Sequence, residues 1–243
     1  MIASDVKKYG KFDVYDPNKI VGKTDAEPFR SDYISIVKDG DAGRIRLLPK
    51  NTMILSTMGA LIAKDPFKID FLYYMLNAIN DLARERNGSI IPHIYFKDYG
   101  QNIYNLPSTP EQSKISSLFT RLDSLITLHQ RKLNSLKNIK NTLLDKMFCD
   151  EKSQFPSIRF FKIDFLYYML NAINDLARER NGSIIPHIYF KDYGQNIYNL
   201  PSTPEQSKIS SLFTRLDSLI TLHQRKLNSL KNIKNTLLDK MFV

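Results

Sequence analysis

One stretch decides the fold: residues 109–148, TPEQSKISSLFTRLDSLITLHQRKLNSLKNIKNTLLDKMF. Thr109 is a typical helix N-cap, Pro110 suits the first helical position, and Gln112 stands at the third. Neither Gly nor Pro follows before residue 148. The pattern therefore predicts one unbroken helix, about 58 Å long at 1.5 Å per residue.

Apolar residues recur along this helix at alternating steps of three and four, which is typical of a coiled coil. One stutter interrupts the alternation between Leu122 and Ile126. The predicted seam consists of Ile115, Leu118, Leu122, Ile126, His129, Leu133, Leu136, Lys140, Leu143 and Met147.

The same helix occurs twice, because residues 67–148 recur as 161–242 with all 82 positions identical. Core packing would preserve only the buried positions, so identity at every surface position indicates a recent duplication at the DNA level or an engineered sequence. Two copies are also fewer than a stacked solenoid needs. The second predicted seam consists of Ile209, Leu212, Leu216, Ile220, His223, Leu227, Leu230, Leu237 and Met241.

A narrow apolar stripe on so long a helix needs a partner, since the helix cannot bury the stripe alone. The second copy is the nearest partner, and the linking chain favours an antiparallel pair. A dimer of two chains would bury the same stripes.

The segment before the first long helix is predicted to be a small α+β domain. Four short runs with β-branched or aromatic character predict strands at residues 11–15, 33–37, 44–48 and 52–55. Each repeat then opens with a helix that has Asp70 as its N-cap and ends at Asn87-Gly88, followed by short strands at 90–96 and 102–106. The fold class is thus α+β: a globular mixed α/β domain plus two long helices that pair as an antiparallel coiled coil.

Four consecutive regions follow from these patterns. They are a short globular domain at 1–107, a long helix at 108–148, a bridge with a remnant of a second domain at 149–201, and a second long helix at 202–243.

Charge favours a polyanionic partner. The formal net charge is +10, with +2 in residues 1–66 and +4 in each repeat, so the excess is spread along the chain. A spread excess suits DNA. The chain has one cysteine, no stretch apolar enough to span a membrane and no signal peptide, which together predict a cytoplasmic protein without a membrane partner.

Several motifs resemble those of specificity subunits of type I restriction–modification systems. Residues 106–115, LPSTPEQSKI, resemble the entry to the conserved helix of that family, and 143–148, LLDKMF, resemble its end. Residues 10–15, GKFDVY, and 71–74, FLYY, are similar to its target-recognition domains. Residues 154–160, QFPSIRF, are similar to the bridge into a second such domain.

The resemblance implies a non-catalytic role. Target-recognition domains of the family each read half of a split site on double-stranded DNA, and the paired helices separate them and dock methyltransferase subunits. The restriction subunit joins through those subunits, and methylation and cleavage belong to these partners. An assembly or decoy protein that docks methyltransferase subunits without reading DNA is the alternative, and a standalone enzyme is the third hypothesis.

The chain departs from the family plan in its second half. The second repeat lacks a counterpart of residues 1–66, so the second recognition domain is expected to be truncated and unable to read bases as a full domain does. The chain could read a half-site, read a symmetric site as a homodimer, or be inactive.

Candidate DNA contacts are the cations of the unique segment, some for phosphate and one or two arginines for guanine edges. Solvated strand edges that discourage aggregation are the alternative role for these residues. The candidates are Lys8, Lys11, Lys19, Lys23, Arg30, Arg44, Arg46, Lys50 and Lys64.

Catalytic and cofactor motifs are not found in the sequence. Gly22-Lys23-Thr24 ends like a phosphate-binding loop, but position 17 is proline where that loop needs glycine. The four histidines are two duplicated positions without ligand spacing, so neither zinc nor another metal is expected. The sequence therefore predicts a subunit without catalytic residues and without a cofactor.

Overall fold

The computed structural model describes residues 1–84, 86–88, 92–147, 163–173 and 202–242. The chain divides into two compact units, Met1–Ser124 with Asn232–Val243, and Leu125–Lys231. The strands are β1 Phe12–Tyr15, β2 Ile20–Thr24, β3 Tyr33–Val37, β4 Ile45–Leu48, β5 Thr52–Ile54 and β6 Met58–Leu61. The described α-helices are α1 Ile69–Ile79, α2 Asp81–Arg84, α3 Phe96–Tyr99, α4 Thr109–Met147, α5 Ile163–Ile173 and α6 Thr203–Phe242.

The strands form two three-stranded sheets in the first unit, in the orders β2-β1-β5 and β4-β3-β6. β1 pairs antiparallel with β2 and parallel with β5, whereas β3 pairs antiparallel with both of its neighbours. All five residues of β3 are buried, which explains why an unbroken β-branched and aromatic run marked it. The four strands predicted from the sequence are confirmed to within a residue.

β2 and β6 were not predicted, because neither has a clean alternation of apolar and polar residues. Gly22 stands in β2 because the backbone of the N-terminal segment passes directly over it. A Cβ at Gly22 would meet the Lys7 carbonyl oxygen at 2.6 Å, and Lys7 and Lys23 exchange backbone hydrogen bonds of 2.8 and 2.9 Å. The Gly-Lys-Thr sequence is therefore part of a strand and not a phosphate-binding loop.

α1 packs into one core with the second sheet and the long helices. Phe71, Met75 and Leu76 share a core with Ile34 and Ile36 of β3. The predicted boundaries of this helix were wrong at both ends. Lys68 is the N-cap and Asp70 lies in the first turn, while the helix stops at Asn80, which adopts a left-handed conformation with φ 55°.

The two strands predicted after α1 are not formed in the described residues. His93 makes only isolated bridges, with Asp39 and Asn87. Residues 96–99 form a helical turn, because Asp98 caps the Tyr95 amide at 2.8 Å. Residues 102–108 have no regular structure, and Ile90 and Ile91 lie outside the described part of the chain.

The two long helices are the predicted ones, and neither is interrupted. α4 begins one residue after Ser108, whose carbonyl oxygen accepts hydrogen bonds from the amides of Glu111 and Gln112, each 2.9 Å. Gln112 is 1% exposed, and its side chain bonds the Lys68 amide at 3.1 Å and the Pro107 carbonyl at 2.9 Å. It therefore ties the helix to the start of α1 and does not act as a capping-box residue.

The helices pair antiparallel, as predicted. In the first unit the N-terminal part of α4 meets the C-terminal part of α6, with Phe119 and Phe242 ring centroids 6.1 Å apart. In the second unit the C-terminal part of α4 meets the N-terminal part of α6, where Met147 packs with Ile209 and Phe213. The coiled-coil partner is therefore the second copy of the same helix.

The predicted stutter is not present. Phe119 is 0% exposed and packs against Tyr74 at 5.0 Å, whereas Leu118 is 40% exposed. Replacing Leu118 by Phe119 gives steps of three and four from residue 112 to 147 without interruption. Two adjacent apolar residues offered two registers, and the aromatic one fills the space beside Tyr74.

The second unit has its own small core around α5. Phe165, Tyr168 and Met169 of that helix pack against Ile209 and Phe213 of α6. The bridge at 149–160 and residues 174–201, which were predicted to hold the rest of a truncated domain, lie outside the described residues.

Candidate nucleic-acid interface and helical scaffold

Arg44 and Arg46 hold one turn of the first unit. Arg44 Nη2 donates to the Pro17 carbonyl oxygen and, at 2.9 Å, to Asn18 Oδ1. Arg46 Nη1 donates to the carbonyl oxygens of Asp16 at 3.2 Å and Pro17 at 3.1 Å. These two candidate base-reading arginines thus brace the turn at residues 16–18, called the 16–18 turn below.

The turn is also braced from within. Asp16 Oδ1 accepts hydrogen bonds of 2.6 Å from the amides of both Asn18 and Lys19. The bond from the Lys19 amide is the main reason why the pKa of Asp16 lies below its usual value. Arg44 Nε is buried without a hydrogen-bond partner, which is costly and indicates a side chain held by its surroundings.

Two further candidates form ion pairs. Lys23 Nζ lies 2.7 Å from Asp13 Oδ1, on the paired strands β1 and β2. Arg30 pairs with Glu27, and both side chains are largely exposed. Their positive charge is locally balanced, which leaves less of it to attract a polyanion.

The other five candidates are exposed and form no ion pair within the described part of the chain: Lys8, Lys11, Lys19, Lys50 and Lys64. β1 and β5 are parallel, so Lys11 before β1 and Lys50 before β5 lie at one end of their sheet. β4 and β6 are both antiparallel to β3, so Lys50 and Lys64, which follow them, lie at one end of the other sheet.

The candidates therefore separate into two groups. Lys11, Lys50 and Lys64 share one end of the strands, and we call them the lysine edge. Lys19 lies in the loop between β1 and β2, on the opposite side with Arg44 and Arg46. Lys8 lies outside both groups, with its ammonium 5.5 Å from the centre of the Tyr9 ring.

Sequence reasoning missed an aromatic segment at residues 93–97. Tyr95 is 50% exposed and Phe96 67%, and Lys97 Nζ lies 5.6 Å from the Tyr95 ring centre. The segment is held in place, because His93 Nδ1 is 2.6 Å from Asp39 Oδ1 and the Ile94 amide donates to the Lys38 carbonyl at 2.9 Å. Aromatic and basic residues alternate in this segment, and that pattern could have indicated a nucleic-acid contact. The sequence analysis instead interpreted the segment as a strand.

A Tyr–Asp–Lys cluster links the paired helices in each unit. In the first unit the Tyr74 hydroxyl donates to Asp123 Oδ2 at 2.8 Å, and Lys234 Nζ donates to Asp123 Oδ1 at 2.5 Å. Burial is the main cause that raises the pKa of Tyr74 far above 10, and the bond to Asp123 adds to it.

The second unit contains the same cluster with the two copies exchanged. The Tyr168 hydroxyl donates to Asp217 Oδ2 at 2.8 Å, and Lys140 Nζ donates to Asp217 Oδ1 at 2.5 Å. Burial, followed by the bond to Asp217, raises the pKa of Tyr168 to about 12. Lys140 is the charged residue of the predicted apolar seam, and its hydrogen bond to Asp217 explains why a lysine stands there.

His129 and His223 face each other in the second unit, with their Nδ1 atoms 2.9 Å apart. Burial, followed by the charges of His129, Lys132 and Lys226, lowers the pKa of His223. Two neutral imidazole rings in this arrangement can form one hydrogen bond, in which the Nδ1–H of one ring donates to the Nδ1 of the other.

Most of the predicted seam residues are buried or half-buried. Leu118, Leu212 and Met241 are exceptions, with 40%, 37% and 40% exposure. The buried or half-buried members are Ile115, Leu122, Ile126, His129, Leu133, Leu136, Leu143, Met147, Ile209, Leu216, Ile220, His223, Leu227, Leu230 and Leu237. Leu212 is exposed for the reason given for Leu118, since the adjacent Phe213 is 0% exposed and takes the seam position.

A second apolar stripe faces solvent in the second unit. It consists of Leu125, Leu128, Leu219 and Leu222, which are 43–47% exposed and which we call the outer leucines. They are the same two positions in each copy. Repeated large apolar side chains on a helix surface are typical of a docking site for another protein.

No cluster of potential metal ligands and no membrane-spanning helix occurs in the described ranges.

The sequence profile described as "Type I restriction modification DNA specificity domain" matches residues 1–138 and 155–232. None of the curated proteins compared with the chain matches it.

Three solved structures superpose on the chain. The S subunit of the type I restriction–modification system from M. genitalium superposes with a TM-score of 0.67 at 17% identity, over 100% of this chain and 91% of that chain. A chain from a study of complex assembly and conformational transition of the type I R-M system gives 0.52 at 15% identity, over 88% and 82%. The HsdS subunit from Thermoanaerobacter tengcongensis gives 0.41 at 15%, over 88% and 81%.

The profile covers most of the chain, including the greater part of both long helices, and the S subunit from M. genitalium shares its fold. The chain belongs to the family of type I restriction–modification DNA specificity proteins.

Proposed function

We propose that this chain is the specificity subunit of a type I restriction–modification complex. It reads a site or half-site on double-stranded DNA and assembles methyltransferase subunits, through which a restriction subunit joins. The match of the DNA specificity profile to both parts of the chain carries the proposal. We propose the four regions 1–107, 108–148, 149–201 and 202–243 as recognition domain, first spacer helix, remnant of a second domain, and second spacer helix.

DNA binding is assigned to the globular region. The lysine edge offers three exposed ammonium groups that form no ion pair with any residue the structure describes, which suits contacts to phosphate. Arg44 and Arg46 make their hydrogen bonds to the 16–18 turn, so their proposed role is to present that turn and Lys19 to DNA. Any base contact by these arginines would use donors other than the ones that hold the turn.

Methyltransferase docking is assigned to the long helices. The outer leucines provide an apolar stripe that pairing of the two copies leaves uncovered. A helix of a partner subunit could bury such a stripe in the manner of a helix packed in a groove. One of the similar structures was described in terms of complex assembly of a type I system, which agrees with this assignment.

The proposed subunit performs no chemistry itself. Methylation and ATP-dependent cleavage would take place on the partner subunits, and the chain would need no cofactor. Because it would bind genomic DNA, we expect it in the cytoplasm. A homodimer would present two recognition domains to a symmetric site.

Gel shifts over a series of salt concentrations test the DNA-reading part. The triple variant Lys11→Ala, Lys50→Ala, Lys64→Ala should weaken binding to all duplexes. It should reduce the slope of log K against log salt by about 0.9 for each phosphate that the variant no longer neutralises. A control with the same change in charge replaces the exposed helical lysines Lys114, Lys132 and Lys137, and it should keep the slope.

Specificity decides between a DNA reader and an assembly or decoy protein. Purified chain with a methyltransferase subunit should methylate a defined set of sites, and site-specific binding should persist as salt rises. Copurification without any preference among DNA sequences would support the assembly alternative. Methylation or cleavage by the chain alone would contradict both hypotheses.

Pull-down of a methyltransferase subunit tests the scaffold. Leu125→Lys with Leu219→Lys should abolish capture and lower the unfolding temperature by only a few degrees, because neither side chain is buried. Thr127→Lys with Thr221→Lys introduces the same charges at exposed positions two residues away and should retain capture. Equal capture by both pairs would remove the outer leucines as the docking surface.

A further inference from the structure

α1 and α5 have the same sequence, yet their surroundings differ. In the first unit α1 lies between the long helices and the sheet β4-β3-β6, and in the second unit α5 packs against the long helices. The face toward the long helices is equally buried in both copies. Phe71 and Phe165 are 1% and 3% exposed, and Met75 and Met169 are 3% and 4% exposed.

The other face differs between the copies. Tyr73 is partly buried against the core that contains β3 and β4, whereas its copy Tyr167 is 62% exposed. Leu72 is partly buried, whereas Leu166 is 36% exposed. We call the surface formed by Leu166, Tyr167 and the half-buried Leu170 the open face of α5.

The first unit shows what covers this surface. There the copies of these residues, Leu72, Tyr73 and Leu76, belong to or pack against the same core as the sheet residues Ile34, Ile36 and Ile45. That sheet comes from residues 12–61, which have no counterpart before the second repeat. The first unit therefore contains a surface that fits the open face, and that surface is one face of a small β-sheet.

We propose that the open face of α5 is an acceptor surface for a small β-sheet domain like that of residues 1–66, supplied by another polypeptide. The proposed partner is a protein, and its docking on α5 does not depend on DNA binding. α5 carries the same side chains as α1, so it can pack against such a sheet in the same way.

A second copy of this chain is a poorer occupant. Its sheet already holds its own α1, so docking on α5 of the partner would expose the identical face of α1. Such an exchange buries no additional apolar surface, and it loses the entropy of association. A polypeptide with an unoccupied sheet has no such cost.

Thiol labelling in the full chain tests the proposal. A Cys149→Ser background carries either Tyr167→Cys or its matched control Tyr73→Cys, and the rate of maleimide labelling is measured under native conditions. In the parent chain, labelling at position 167 should be several-fold faster than at 73. Into each chain, a second copy of residues 1–66 is then inserted directly before Phe161, so that the sequence context of the first repeat is reproduced.

The inserted copy should dock on α5, and the labelling rate at 167 should fall to that at 73. Adding Leu166→Glu to the inserted chain should restore fast labelling, because it places a carboxylate against the aliphatic sheet. In the parent chain the same substitution should lower the unfolding midpoint less than Leu72→Glu does.

Labelling at 167 that stays fast in the inserted chain overturns the proposal. This holds even if the inserted copy is unfolded, because an acceptor equivalent to α1 should order it. Slower labelling at 167 together with faster labelling at 73, as the concentration of the parent chain rises, would also overturn it. That result would identify a second copy as the occupant. Gel shifts on the same variants report DNA binding separately, so the two proposals can fail independently.

Discussion

Truncation of Phe119 tests the corrected coiled-coil register, with its neighbour Leu118 as the comparison. The sequence pattern placed Leu118 on the seam, and the structure places Phe119 there, with its ring 5.0 Å from that of Tyr74 and 6.1 Å from that of Phe242. Phe119→Ala should therefore destabilise the protein far more than Leu118→Ala.

The expected loss of stability in each variant follows from the exposed fraction of the side chain that is truncated. Phe119 is 0% exposed, and truncation of a fully buried phenylalanine costs about 3–5 kcal/mol. Leu118 is 40% exposed, and complete burial of a leucine stabilises by about 1.5–3 kcal/mol, so its truncation should cost about 1 kcal/mol. For a chain of this length each kcal/mol lowers the unfolding temperature by about 2–4 °C.

Thermal unfolding followed by circular dichroism measures both variants. Hydrogen exchange in α1 then shows whether the loss lies where the Phe119 ring packs. The second copy repeats the experiment, since Phe213 is 0% and Leu212 37% exposed. If Leu118→Ala lowered the unfolding temperature as much as Phe119→Ala, the seam would pass through Leu118 and the stutter would have to be restored.

Three further predictions concern polar groups. Asp217→Asn should lower the pKa of Tyr168 from about 12 but leave it above 10, because burial raises it more than the bond does; an alkaline absorbance titration against Tyr168→Phe measures this. The pKa of His223 is lowered in the folded state, so its contribution to stability is present above the unfolded value of about 6.5 and is lost as the pH falls from there through the lower folded value. Replacing His129 and His223 by Gln should flatten the dependence of unfolding temperature on pH in that range, and an unchanged dependence would contradict the assignment. Arg44→Ala should speed hydrogen exchange in the 16–18 turn while exchange in β3 stays slow, and equal acceleration in both would mean that the arginine supports the whole sheet.

The long helices were predictable because their pattern is local and long. A run of about forty residues without an internal Gly or Pro and with steps of three and four leaves little alternative to a helix. Antiparallel pairing followed from the repeat. The choice between Leu118 and Phe119 was not predictable, since it depends on Tyr74 and Phe242, which are distant in sequence.

The candidate interface was less predictable than the fold. Composition identified the cations, but which of them carry an uncompensated charge depends on partners brought close by folding. Lys23 meets Asp13 across a strand pair, and Arg44 and Arg46 meet carbonyl oxygens almost thirty residues away. The lysine edge, in contrast, results from strand order, which short strand patterns do not specify.

The histidine pair shows what an antiparallel duplex of identical sequences demands at its midpoint. Away from it, each side chain meets a different one, so Asp123 can neutralise Lys234 although the copies are the same. At the midpoint a residue meets itself, and any fixed charge there would face its own sign. Neutral histidine is compatible with itself because one ring can donate while the other accepts. A change copied into both repeats is therefore tolerated at this position only if the new side chain is complementary to itself.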